Sequence, residues 1–192
     1  MDFSRKKGQM LIKLSEARSQ GNVDLDALDV LEIINNSPKY FTTSSCSGRI
    51  AMLEITGIGR KKHSRFVFKT HEIPKVETIA KILLNNTYSA DAWLLAEPPI
   101  FHVGSFDFSA AEELLSLGLS SSMGRSGFRS LERWFLVQLW GTGHLNCPVG
   151  TIKRNFIEKE DFAYFLSRQA QSALIHGKQQ LKRLESILSR VL

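Results

Sequence analysis

Ala92-Trp93-Leu94-Leu95-Ala96-Glu97-Pro98-Pro99-Ile100-Phe101-His102-Val103 consists of two short apolar runs held apart by one acidic residue and two prolines. Each run has strand length rather than helix length, and Glu97-Pro98-Pro99 is a rigid turn, so the stretch reads as two paired strands. Two further segments carry the same signal. Ile50, Met52, Leu53 and Ile55 lead through Gly57-Ile58-Gly59 and a basic turn to Phe66, Val67 and Phe68, while Trp134 to Trp140 and Leu145 to Val149 flank Gly141-Thr142-Gly143. Three hairpins interleaved with helices lack the regular strand-helix alternation of a parallel sheet. The expected class is therefore α+β, with a mainly antiparallel, curved or barrel-like sheet from three hairpins, flanking helices and no Rossmann unit.

The helices follow from spacing. Phe3, Met10, Leu11, Leu14 and Ala17 recur at helical intervals up to Gly21, with a basic polar face. Asp24 is placed to cap a second helix through Leu25, Leu28, Leu31, Ile33 and Ile34, which runs out at Asn35-Asn36-Ser37-Pro38. Pro74 fits the first turn of a third, over Val76 to Leu83, and Ser109 is placed to cap a fourth that Gly118 stops. A long pattern from Lys159 to Val191 closes the chain, its apolar stripe opposed by Lys, Arg and Gln, with Gly177 as a point where it can bend. One domain over residues 1–192 is expected: N-terminal helices over 1–37, a hairpin and helix core over 38–150, and a C-terminal helix over 158–192.

The 192 residues are 43% hydrophobic and 23% charged, as in ordinary globular proteins. No segment approaches the roughly 20 apolar residues that span a bilayer, and the charged start Met1-Asp2-Phe3-Ser4-Arg5-Lys6-Lys7 has no apolar run behind it, so a cytoplasmic location is expected. Cys46 and Cys147 have no partners at metal-ligand spacing, which indicates neither a disulfide framework nor a metal site. The formal charge of +6 is clustered: Arg5, Lys6, Lys7, Lys13 and Arg18; Arg60, Lys61, Lys62, His63 and Arg65; Lys178, Lys182, Arg183 and Arg190. Solvated faces account for any one cluster, and phosphate contact accounts for all three.

Tyr40-Phe41-Thr42-Thr43-Ser44-Ser45-Cys46-Ser47-Gly48-Arg49 is the most unusual stretch. Each hydroxyl needs a partner if buried, so the run reads as a binding loop that lines a polar pocket, or else as a serine-rich connection. Gly48 lets a ligand or backbone approach, and Arg49 supplies a fork of donors for a carboxylate or phosphate. Gly57-Ile58-Gly59-Arg60-Lys61 lacks the third glycine of a dinucleotide site. His71 beside Glu72 is a candidate acid/base or base-stacking group, or a structural histidine. Asp91 and Trp93, two apart on a strand, point a carboxylate and an indole into one space, which suits a flat heterocycle as well as it suits a core tryptophan beside a turn. His102 lies among apolar neighbours, and Gly124-Arg125-Ser126-Gly127-Phe128-Arg129-Ser130 reads as a flexible, doubly basic loop suited to an anion.

In this order, the 40–50 run, His71-Glu72, Asp91-Ala92-Trp93, Glu97-Pro98 with Phe101-His102-Val103, Arg125 to Arg129 and Leu145-Asn146-Cys147-Pro148-Val149 resemble the archaeal and eukaryotic tRNA wybutosine-synthesising methyltransferase family, in its archaeal type. Two departures stand out: Lys62 to Phe68 replaces a glycine-rich, tryptophan-bearing approach to the histidine, and Thr70 stands where a serine is usual. The resemblance implies transfer of a methyl group from S-adenosylmethionine to ring nitrogen N4 of a tricyclic base beside the anticodon of phenylalanine tRNA, on a fold other than the Rossmann methyltransferase fold. Together with side-chain chemistry it implies Asp91 or His71 as the proton acceptor. Ser44, Ser45, Cys46, Gly48, Arg49, His102, Ser126, Gly127 and Arg129 would hold the cofactor, with Cys46 lining the pocket rather than acting as a nucleophile. Trp93, Lys61, Lys62 and Arg125 would hold the RNA. No metal is implied and the oligomeric state stays open. A non-catalytic basic RNA-binding protein is the alternative, and a structural partner assembling through the long terminal helix is a third reading.

Overall fold

The structure is a computed structural model that describes residues 2–56, 64–131 and 134–192. In chain order its elements are α1 (Phe3–Ser19), a short 3-10 helix (Leu25–Ala27), α2 (Leu28–Asn36), β1 (Tyr40–Cys46), β2 (Arg49–Ile55), β3 (Arg65–Thr70), α3 (Val76–Asn85), β4 (Asp91–Glu97), β5 (Ile100–Ser105), α4 (Phe108–Ser120), β6 (Gly127–Ser130), β7 (Phe135–Trp140), β8 (Leu145–Thr151), β9 (Arg154–Asn155) and α5 (Glu160–Val191). Among the described residues no helix is long and apolar enough to cross a membrane.

The class is α+β, as expected, and all strand pairing between named strands is antiparallel. The chain forms two compact units. The first comprises Met1–Ser47, Pro99–Thr142 and Gly177–Leu192, and the second Gly48–Pro98 and Gly143–His176. The first holds a four-stranded sheet in the order β1-β5-β7-β6, and the second a five-stranded sheet in the order β3-β2-β4-β8-β9.

This topology corrects two of the three hairpins. β2 and β3 do pair, although the turn between them lies outside the described residues. β4 and β5, read as partners around Glu97-Pro98-Pro99, belong to different sheets, and so do β7 and β8 around Gly141-Thr142-Gly143. The reason lies in what each strand buries. Ala92, Leu94 and Ala96 of β4 join the core of the second unit, while Phe101 and Val103 of β5 join that of the first. A short turn-rich link can reverse the chain or redirect it, and the strands' separate cores decide which.

In the first unit, Val30, Leu31 and Ile34 of α2, Leu114 of α4, and Leu181, Leu184 and Leu188 of α5 cover the apolar face of the sheet. Each such leucine contributes about 2 kcal/mol by leaving water. Gly118 continues α4 rather than ending it, because a Cβ there would lie 2.6 Å from a Leu139 methyl. The cap of α4 is Asp107, which accepts from the Ala110 amide at 2.8 Å, two residues before the expected Ser109. In the second unit, Ile50 and Met52 of β2, Ile79 and Leu83 of α3, and Leu166 and Leu174 of α5 cover the other sheet. Glu54, 2% exposed, is buried on that same side; it accepts from the Ser89 amide at 2.8 Å, from the Ser89 hydroxyl at 2.7 Å and from Arg65 at 2.9 Å. Burial alone would raise its carboxyl, and these donors outweigh burial and hold it below the usual carboxylate value.

Candidate active site

The 40–49 run is not a loop. Residues 40–46 form β1, an edge strand of the first sheet. An edge strand accommodates hydroxyls that a central strand would reject, because one of its margins has no ladder partner. A bulge between Thr42 and Ser44 shifts the register. The hydroxyls then divide by task. Thr42 is structural: Asn35 at the end of α2 donates to its Oγ1 at 2.8 Å and accepts from its amide at 2.9 Å. Thr43 donates to the His102 carbonyl at 3.2 Å. Ser47 is held at both ends, its amide donating to Asp24 Oδ2 at 2.8 Å and its hydroxyl accepting from Lys178 at 2.9 Å, while the Lys178 ammonium also pairs with Asp26 at 2.7 Å. The Asp24 side chain therefore holds the 47 turn and makes no cap bond to the helix that follows it.

Ser44 begins a polar row that crosses the first sheet. It is opposite His102, His102 is opposite Gln138, and Gln138 is opposite Gly127. Ser44 Oγ lies 2.8 Å from His102 Nδ1, and His102 Nε2 lies 3.0 Å from Gln138 Oε1. With the amide oxygen facing the ring, Nε2 carries the proton and the serine hydroxyl donates to Nδ1. His102 is thus neither a core residue nor a lone one, since it is the middle of a hydrogen-bonded array on the face turned away from the apolar core. A Cβ at Gly127 would meet nothing within 4 Å, so the end of the row opens onto space. Gln138 escaped the sequence reading, although it is the one polar residue in the run 134–140 and so carried a legible signal.

The segment read as a flexible loop over 124–130 is half strand, since Gly127–Ser130 is β6, the other edge of the first sheet. Ser126 is fixed, donating to the Met123 carbonyl at 2.7 Å and accepting from the Trp140 amide at 3.0 Å. The Arg125 guanidinium sits 3.8 Å from the centre of the Trp140 ring, a close cation-π contact. Arg129 is exposed, and among the described residues nothing pairs with its guanidinium. A groove of about 230 Å³ runs beside β1, lined by Met10, Lys13, Leu14, Ala17, Asn22, Val23 and Leu31 together with Thr42 to Ser45. Lys13 on its wall was noticed in the sequence only as one charge in a cluster.

The remaining candidates lie in the second unit. His71 follows β3 directly, and its Nδ1–H donates to the Gly48 carbonyl at 2.9 Å. Gly48 has φ of 91°, the left-handed region that favours glycine. Arg49 pairs through Nε with Glu97, its neighbour across the strands, and its guanidinium lies 5.3 Å from the centre of the Phe66 ring. Asp91 and Trp93 do share one face of β4, because Ala92, Leu94 and Ala96 between and beyond them are buried on the other. Thr151 donates to Asp91 Oδ1 at 2.6 Å, which orients an otherwise exposed carboxylate. Lys61 and Lys62 lie outside the described residues. The predicted residues therefore fall into two groups, with Ser44, Ser45, Cys46, His102, Arg125, Ser126, Gly127 and Arg129 in the first unit and Gly48, Arg49, His71, Asp91 and Trp93 in the second.

Antiparallel sheets with flanking helices, two of their strands carrying a hydrogen-bonded hydroxyl-imidazole row and a carboxylate-indole pair, also define the solved proteins this chain is similar to. A structure from Pyrococcus horikoshii superposes with a TM-score of 0.89 at 30% identity, covering 97% of this chain and 96% of that one. An Aeropyrum pernix structure, 23% identical with a TM-score of 0.71, shares the fold. The class is a methyltransferase on an α+β scaffold without a Rossmann unit. The model of the family described as Methyltransferase TYW3 matches residues 5–190, and the chain belongs to that family. Among its relatives, a Pyrococcus furiosus protein is 34% identical over 178 residues, 93% of this chain and 85% of its own length. An Archaeoglobus fulgidus protein is 32% identical over 188 residues, 98% of this chain and 94% of its own. The first is named tRNA(Phe) 7-((3-amino-3-carboxypropyl)-4-demethylwyosine(37)-N(4))-methyltransferase 2, and the second carries the same name without the final numeral.

Proposed function

We propose that this protein methylates ring nitrogen N4 of the tricyclic 4-demethylwyosine-type base beside the anticodon of tRNA(Phe), using S-adenosylmethionine, in the cytoplasm where tRNA is modified. The observation that carries the reading is the alignment of relatives named for that reaction over 93% and 98% of this chain.

The donor set of the first unit fits the cofactor. The Ser44 and Ser45 hydroxyls, the His102 and Gln138 array and the open end at Gly127 offer edges for ribose and adenine hydrogen bonds. Arg129 and Lys13 offer cations for a methionine carboxylate. Cys46 and Ser126 line and shape the same strands, whereas Arg49 is engaged by Glu97 and Phe66 and contributes through that network. When bound, S-adenosylmethionine supplies an electrophilic methyl group on a sulfonium.

The protein's own part is to hold the base and take its proton. Trp93 stacks on the flat tricycle, and Asp91, oriented by Thr151, accepts the N4 proton directly or through a water. His71, fixed by the Gly48 carbonyl, is the second candidate for that proton. Lys61, Lys62 and Arg125 neutralise backbone phosphates. Methyl transfer by displacement needs alignment more than covalent help, so Cys46 has no nucleophilic step to perform.

The test is incubation of the purified protein with radiolabelled S-adenosylmethionine and tRNA(Phe) that carries the unmethylated tricyclic base. Label in the base after nuclease digestion is the expected outcome. Absence of label, with the same tRNA methylated by an archaeal relative run in parallel, sinks the assignment.

A further inference from the structure

The second sheet presents an aromatic row on the face opposite its core. Phe66 of β3 is opposite Leu53 of β2, Leu53 is opposite Trp93 of β4, and Trp93 is opposite Pro148 of β8. Residues paired directly across antiparallel strands point to the same side, so the four side chains form one line. Phe66 is 46% exposed, an unusual state for a phenylalanine in a strand, and Trp93 is partly exposed. Two strand spacings separate the rings, about 10 Å in all. Phe66 is flanked by cations, with the Arg49 guanidinium 5.3 Å and the Lys69 ammonium 5.8 Å from its centroid. Glu97 anchors Arg49 in that position.

We propose that this row is a stacking platform for unpaired nucleotides. Trp93 takes the base to be methylated, and Phe66, which neither the sequence reading nor the proposed catalytic set includes, takes the ring of an adjacent unstacked base. Lys69 and Arg49 neutralise the phosphate that joins them. The inference rests on the reading that the chain acts on tRNA. An aromatic face accepts any base by stacking, and cations beside it select a polyanion over an apolar protein surface. The net charge of +6 is in keeping with that occupant. On this account the base reaches the enzyme already parted from its neighbour, and Phe66 holds the neighbour away.

The full-length protein is titrated with a short single-stranded oligoribonucleotide containing 2-aminopurine, whose fluorescence is quenched when it stacks on an aromatic ring. Phe66→Leu removes the ring and keeps the apolar bulk at an exposed position, and Phe66→Tyr restores a ring. Binding weakened by on the order of tenfold in Phe66→Leu with loss of quench, and recovered in Phe66→Tyr, is expected. In turnover assays Phe66→Leu raises KM for tRNA and leaves kcat at saturating tRNA unchanged. Wild-type affinity and quench in Phe66→Leu overturn the proposal, as does a wild-type protein that binds no oligoribonucleotide at low salt, which would assign the face to a protein partner instead. A wild-type protein that stacks the oligonucleotide yet transfers no methyl group overturns the enzymatic reading and leaves the platform standing.

Discussion

At the scale of single residues, two carboxylates contrast. Asp91 is exposed and held by one hydroxyl, as suits a group that must accept and release a proton. Asp91→Asn keeps the shape and removes the basicity, so tRNA binding should persist while single-turnover methyl transfer slows by about 10²-fold or more. An unchanged single-turnover rate removes Asp91 from the role and leaves His71. Glu54, by contrast, is buried and saturated with donors. Its folded carboxyl lies below its ordinary value, so its contribution to stability is fully present above the unfolded pKa and is lost as pH falls through the lowered folded value. Glu54→Gln should cost about 2 kcal/mol at neutral pH, because an amide must face donors that a carboxylate accepts. Urea midpoints of the two proteins should converge below pH 4.5, the ordinary value of that carboxyl; a gap that stays constant with pH contradicts the assignment.

At the scale of elements, β1 and the 122–127 segment are held by side chains far from them in sequence. Gln180 of α5, 1% exposed, accepts from the Thr142 amide at 3.0 Å and donates to the Thr142 hydroxyl at 2.9 Å and to the Ser122 carbonyl. Ser122 has φ of 66°, a conformation that a residue other than glycine keeps only when its surroundings enforce it. Gln180→Ala leaves these groups without partners and should cost about 3 kcal/mol, read by thermal unfolding. Gln180→Glu, which keeps the acceptor for Thr142, should cost less. Equal losses in the two variants would assign the effect to side-chain volume alone. Here too the sequence reading meets its limit, because a polar stripe on a terminal helix looks the same whether it faces water or pins a loop.

At the scale of the whole chain, neither compact unit is contiguous in sequence. Residues 177–192 return Leu181, Leu184 and Leu188 to a core begun by residues 27–40. Truncation after His176 removes all three, each worth about 3 kcal/mol as a truncated core leucine, which together approach the whole stability of an ordinary domain. The truncated chain should show no cooperative unfolding transition, and a sharp transition at the wild-type temperature would argue that the first unit needs no closing helix. Charge also acts at this scale. Lys61→Ala with Lys62→Ala should weaken tRNA binding and reduce the slope of log K against log salt by about 2 units, close to 0.9 per phosphate released. A slope equal to wild type takes those lysines out of the RNA footprint.

The sequence by itself determined the elements, their antiparallel α+β class, and the residue types that carry chemistry, because helix and strand periods, caps and hydroxyl or carboxylate character are local properties. His71, Asp91, Trp93 and the 40–50 run were therefore legible in order along the chain. Only the tertiary structure decided which strands pair. It sent β4 and β5 to different sheets across Pro98-Pro99, made an edge strand of a run that read as a loop, and joined Ser44, His102 and Gln138 into one row. Pairing is a choice among non-local partners, settled by which apolar faces can be buried together. A turn of prolines or glycines marks where the chain changes direction and leaves its destination to the cores on either side.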